Sequence, residues 1–213
     1  MHSRRSILTV MILAAGLGAT PVLAADAPAA PLAAADQTLV QKASDYIQAL
    51  KGAQGRFTQT DARGQVSSGT FSMLRPGRAR FEYDPPAQLL VVSDGYNVSI
   101  YDRKLKSFDQ YPLGQTPLVL LLAKTIKLDR GVTITVVDKT PGGFVLSARD
   151  ARKTAQGRID LAFGQNPLAL NGWTVIDAQG QKTEVRLGTL TQTATLDPNL
   201  FVLRDPKPHS GRP

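Results

Sequence analysis

The sequence predicts a mainly β fold with helical cover: one antiparallel sheet of about eleven strands, strongly curved or partly closed. Three observations carry this expectation. From Gly55 onward, apolar and polar residues alternate with a period of two, in short runs separated by turn residues. Ahead of these runs, one segment places its apolar residues at helical spacing. Midway along the chain, a short stretch is apolar on every side, as a strand alternating between two faces is not.

The elements follow in order. Arg4 and Arg5, the apolar stretch Ile7 to Leu17 and the small-residue site Val22-Leu23-Ala24 read as a signal peptide over residues 1–24. Its apolar stretch is below the ~18–20 residues that span a bilayer. Ser3 to Leu8 also resembles a twin-arginine signal, without the usual Phe after Ser6. Residues 25–35, rich in Ala and Pro, read as a disordered linker. Asp36 is placed to cap a helix running to about Lys51, with Leu39, Val40, Ala43, Tyr46, Ile47 and Leu50 on its apolar face and Gly52 as its stop. Residues 36–204 then form one folded domain, and 205–213 a disordered tail.

Strands are expected near 56–61, 65–74, 79–83, 87–93, 96–102 and 106–111, with turns at Ala62-Arg63-Gly64, Arg75-Pro76-Gly77 and Asp94-Gly95. The pattern resumes near 132–138, 143–149, 157–163, 169–177 and 182–190. Between the two halves, Thr116 as N-cap and Pro117 at the first position open a short apolar helix over 117–124. A helix with no polar face is either buried all round or turned toward an apolar cavity, and both readings remain open.

Composition removes most chemistry. The 213 residues contain no cysteine, which excludes disulfides, thiolate ligands and a lipid-modified N-terminal cysteine. Histidine occurs only at His2 and His209, so the folded region offers neither a histidine-dependent triad nor a histidine metal site. Asp84, Asp94, Asp102 and Asp109 fall at turns or point outward, where aspartates usually serve local backbone amides. An enzyme is therefore not expected, and neither catalytic residues nor metal nor cofactor is assigned. Formal charge falls from +8 to +6 when Arg4 and Arg5 leave with the signal. That surface could favour anionic partners or membrane surfaces, or simply maintain solubility. Its basic residues are scattered without interleaved aromatics, so no nucleic acid is expected as a partner.

One constellation stands out. Period two places Phe71, Met73 and Arg75 on one face of the second strand, Ala79, Phe81 and Tyr83 on one face of the third, and Val98 and Ile100 together on the fifth. An arginine ending an apolar row either snorkels to the rim or is buried with acceptors for its donors.

These same segments resemble the LolA family. The resemblance rests on Phe57-Thr58-Gln59, the run Gly69 to Gly77, Phe81-Glu82-Tyr83, Val91 to Gly95, Ile100-Tyr101-Asp102 and Thr116-Pro117-Leu118. Order and spacing agree from about Ala43 to Leu122. The resemblance implies a half-open antiparallel barrel covered by helices that act as a lid. It also implies a monomeric periplasmic carrier that receives triacylated lipoproteins from an inner-membrane ABC transporter of the LolCDE type. An outer-membrane receptor of the LolB type would take the cargo on. The implied acyl-chain cavity comprises Phe71, Met73, Phe81, Tyr83, Val98, Ile100, Leu118 and Leu121, with Arg75 latching the lid. Arg78-Ala79 departs from the family, which often has a Leu-Phe pair there. Two other functions fit the same scaffold: a carrier of free lipid, such as hopanoid or phospholipid, and a module sensing envelope lipid.

Overall fold

The computed structural model describes residues 32–116, 118–124, 132–151 and 157–206. The signal peptide and most of the linker and tail lie outside the described residues. Helix α1 spans Ala34–Ala49 and buries Leu39, Val40, Ala43 and Ile47, the stripe set by their spacing. Two local expectations at its ends are corrected. The helix starts at Ala34, inside the stretch read as linker, and Ala33 is its N-cap without a side-chain cap. Asp36 lies in the first turn, where its negative charge suits the helix end, and its Oδ1 takes Lys139 Nζ at 2.6 Å. Gly52 is not a helical stop either. The helix ends on Leu50, and Gly52 opens the first strand, where a Cβ would come within 2.4 Å of the Thr193 carbonyl. The glycine admits a neighbouring backbone rather than a left-handed turn.

The strands are β1 (Gly52–Thr60), β2 (Val66–Leu74), β3 (Arg78–Tyr83), β4 (Leu89–Asp94), β5 (Asn97–Asp102) and β6 (Ser107–Pro112). After a 3-10 turn (Leu113–Gln115) and α2 (Val119–Leu122) come β7 (Val132–Thr140), β8 (Gly143–Asp150), β9 (Arg158–Gln165), β10 (Leu168–Ile176), β11 (Lys182–Leu187) and β12 (Thr191–Gln192). Every expected run forms a strand, and a two-residue twelfth is added. All are in one antiparallel sheet, ordered β6-β5-β4-β3-β2-β1-β11-β10-β9-β8-β7, with β12 sharing one edge of β1 with β11. The sheet does not close; β6 and β7 are its ends.

It does curl. Strands β3 and β10 stand four places apart, about 19 Å on a flat sheet at ~4.8 Å per strand. Yet the rings of Phe81 on β3 and Trp173 on β10 meet at 6.0 Å. The inner face therefore folds toward itself, and the buried residues of α1 and α2 join the sheet in a single apolar cluster.

The helix expected over 117–124 is a single turn. Leu118 rather than Thr116 is its N-cap, and the Thr116 hydroxyl donates back to the Leu113 carbonyl at 2.9 Å; Pro117 lies outside the described residues. A 3-10 turn ahead of it uses the residues that would have formed its cap, and Ala123 is already extended.

A second apolar cluster lies on the opposite face of β2–β4. Leu90, Val92 and Phe201 are buried there, flanked by Leu74, Leu196, Leu200 and Leu203. The C-terminal segment thus straps the convex side, and Arg80 Nη1 donates to the Leu200 carbonyl at 3.1 Å.

Candidate functional site

The alternation of β2 brings Arg75 to the end of its inward row, just before a turn that needs Gly77 at φ +76°, a conformation costly for other residues. A Cβ on Gly77 would also come within 2.5 Å of Gly95 Cα in the β4–β5 turn. This packed corner is where both helices end. Arg75 Nη1 donates to the Ile47 carbonyl in the last turn of α1, and Nη2 donates to the Ala123 carbonyl just past α2 at 2.6 Å. The Gly77 amide donates to the Leu122 carbonyl at 2.8 Å, and the Arg75 amide to the Lys51 carbonyl at 2.8 Å. Ser93 Oγ fixes the corner from below by donating to the Gly77 carbonyl at 2.6 Å.

Helix C-termini carry unpaired carbonyls and partial negative charge, so one guanidinium set between two of them is favourably placed. Burial lowers the Arg75 pKa from its ordinary value, since desolvation disfavours the charged form. Its Nε is also buried, with no hydrogen-bond partner among the described residues.

Behind this corner lies the apolar interior. Phe71, Met73, Phe81, Tyr83, Val98 and Leu121 are all buried in one cluster, and half-buried Leu118 packs against it. Ile100 does not join them: it is half-buried, paired with Val91 and Asp109 near the open β6 edge, and outside the cluster. Ala79 is buried opposite Met73 and Ser93.

Sequence reasoning missed half of this interior. Phe57 meets Phe81 at 5.4 Å and Tyr83 at 5.0 Å, while Trp173 meets Phe71 at 5.9 Å. Leu146, Ile159 and Leu161 are wholly buried on β8 and β9, and Phe144 stacks on Phe163 at 5.2 Å. Their period-two spacing was visible, but nothing local says that the two halves of the sheet face one another.

The Tyr83 hydroxyl is the polar handle within this shell, donating to Gln59 Oε1 at 2.6 Å. Burial pushes its pKa up to about 12 from 10.0. The folded protein therefore holds this proton where the unfolded chain has lost it. Stability should be level below about pH 10 and fall between pH 10 and 12, by a total of about 2–3 kcal/mol from this group. Urea unfolding across that range should show a shallower alkaline decline for Tyr83→Phe than for wild type. Parallel profiles would mean that Tyr83 is not the group responsible.

Three of the four aspartates considered for catalysis are engaged in local hydrogen bonds or an ion pair. Asp94 Oδ1 accepts from the Tyr96 and Asn97 amides, and Asp102 Oδ1 from those of Lys104 and Leu105. Asp84 pairs with Arg56 and accepts from Ser68 Oγ at 2.9 Å, and those hydrogen bonds hold its pKa below the usual carboxylate range. Asp109 is exposed on β6. No group of three potential metal ligands occurs among the described residues.

A curled antiparallel sheet enclosing an apolar interior, with two helices pinned across it by one arginine, defines an α+β shell protein. The family model described as outer membrane lipoprotein carrier protein LolA matches residues 48–204, and this chain belongs to that family. It is 31% identical over 157 residues to an outer-membrane lipoprotein carrier protein of Leptothrix cholodnii, covering 68% of this chain and 72% of the relative. A protein of the same description from Azotobacter vinelandii is 29% identical over 199 residues, covering 87% and 93%. Among solved structures, a LolA superfamily protein of Nitrosomonas europaea aligns with a TM-score of 0.44 at 10% identity, over 79% of this chain and 97% of that one.

Proposed function

We propose that this protein is a periplasmic carrier that shelters the acyl chains of lipoproteins in its apolar interior and passes them from the inner to the outer membrane. It acts without catalysis, as a monomer, receiving triacylated cargo from an inner-membrane ABC transporter of the LolCDE type and yielding it to a receptor of the LolB type. The observation that supports this reading is Arg75, whose guanidinium donates to the Ile47 carbonyl at the end of α1 and to the Ala123 carbonyl just past α2, beside the apolar interior.

The energetics suit a carrier. Each methylene taken out of water contributes about 0.8 kcal/mol, so even a partly sheltered acyl chain offsets much of its extraction from a bilayer. Leu121 and Met73 are about 1% exposed, so acyl chains reach them only when the helices move. Cargo must then compete with the closed state, which lowers apparent affinity by the closed fraction and makes release feasible.

The test is displacement. An environment-sensitive apolar dye should bind with defined stoichiometry and be displaced by a triacylated lipopeptide, but not by the same peptide without acyl chains. Displacement by phospholipid or hopanoid and not by lipopeptide would replace this reading with that of a free-lipid carrier.

A further inference from the structure

We infer that Ser93 is a positioning residue for α2: its hydroxyl fixes the β2–β3 turn so that the turn's main chain holds the end of that helix, independently of the Arg75 side chain. Register places Ser93 in the inward row of β4, between Ala79 on β3 and Val98 on β5. Both neighbours are buried in the apolar cluster, and Ser93 itself is 3% exposed. A hydroxyl in such a row is costly unless it is bonded, and Ser93 Oγ donates to the Gly77 carbonyl at 2.6 Å.

Gly77 is thereby gripped on both sides. Its amide donates to the carbonyl of Leu122, the last residue of α2, at 2.8 Å. Amide and carbonyl flank the same Cα, so fixing one aims the other. Of the turn's other residues, Arg75 spends its amide on the Lys51 carbonyl and Pro76 has no amide proton. Gly77 is thus the turn amide that meets α2. The entry to α2 hangs on the same support: the Leu113 amide donates to the Tyr96 carbonyl at 2.8 Å, in a turn ordered by Asp94 Oδ1. The β4–β5 turn and Ser93 before it therefore anchor the α2 segment at both ends. The end of α1 is bonded instead to Arg75, through Nη1 at Ile47 and the main-chain amide at Lys51. The two helix ends are separable.

Amide hydrogen exchange of the full chain tests this with no cargo present. In Ser93→Ala the exchange rate of the Gly77 amide, relative to that of Ile47 in α1, should rise about fivefold, as for the loss of one buried neutral hydrogen bond. Ser99→Ala is the control. It removes another buried strand hydroxyl, which accepts from Gln110 Nε2 at 2.9 Å and is paired with Val92 of the convex cluster. That variant should leave the ratio of the two rates unchanged. If the protein carries lipoproteins as proposed, Ser93→Ala should also release lipopeptide about fivefold more slowly. An unchanged ratio in Ser93→Ala, or an equal rise in Ser99→Ala, would overturn the assignment. A raised ratio in a protein whose dye lipopeptide never displaces would sink the carrier reading and keep Ser93 as the residue that positions α2.

Discussion

Arg75→Leu is expected to load cargo and fail to hand it over. The substitution keeps an apolar side chain in the inward row but removes both bonds to the helix ends. Charge-assisted bonds of this kind contribute about 1.5–3 kcal/mol, so the closed state loses a bias of roughly ten- to hundredfold. The fold should survive, because other contacts remain at both ends. The Ile47 carbonyl keeps the Leu50 amide at 3.2 Å, and the Leu122 carbonyl keeps the Gly77 amide. Open molecules become the majority, so cargo binds more tightly and leaves more slowly. Arg75→Lys should fall between the two, since one ammonium cannot span two carbonyls as the guanidinium fork does. A two-step transfer assay scores loading and release separately. Release from Arg75→Leu at the wild-type rate would reduce Arg75 to a structural rim residue.

Phe81→Ala is expected to cost about 3–5 kcal/mol of folding stability, the range for removing a buried aromatic ring. Its ring touches Phe57, Phe71 and Trp173, which come from β1, β2 and β10, so its loss opens the seam where the sheet curls onto itself. Phe108→Ala, at the half-buried position of the otherwise exposed edge strand β6, should cost far less, about 1 kcal/mol. Urea midpoints of the two variants make the comparison. A Phe81→Ala protein no weaker than Phe108→Ala would mean that the two halves of the sheet are not joined through these rings.

The period-two runs and the turn residues between them were sufficient to place every long strand. That signal is local: each strand's inward face is written in its own residues, as with Phe71 and Met73 or Phe81 and Tyr83. The helical stripe of α1 is legible for the same reason. Its ends were less so, because Asp36 answers to Lys139 and Gly52 to Thr193, partners about a hundred or more residues away. The turn Arg75-Pro76-Gly77 could be read from sequence, and the resemblance marked its arginine, but the residues alone left two fates open for it.

What only the tertiary structure decided is how the two halves of the chain meet. Trp173 reaches Phe71 and Phe81 because the open sheet curls, and Phe57 reaches Phe81 across β2. Ile100 shares its alternation with Val98 yet falls outside the apolar cluster, half-buried between Val91 and exposed Asp109 of the end strand β6. Leu90, Val92 and Phe201 form a core on the convex face that alternation alone would have assigned to solvent. Burial is a property of what lies opposite a residue, and curvature and strand order set that, not the residue's own neighbours in sequence. The chain by itself specified an alternating sheet and an amphipathic helix. Packing determined which faces became interior and which two carbonyls Arg75 would hold.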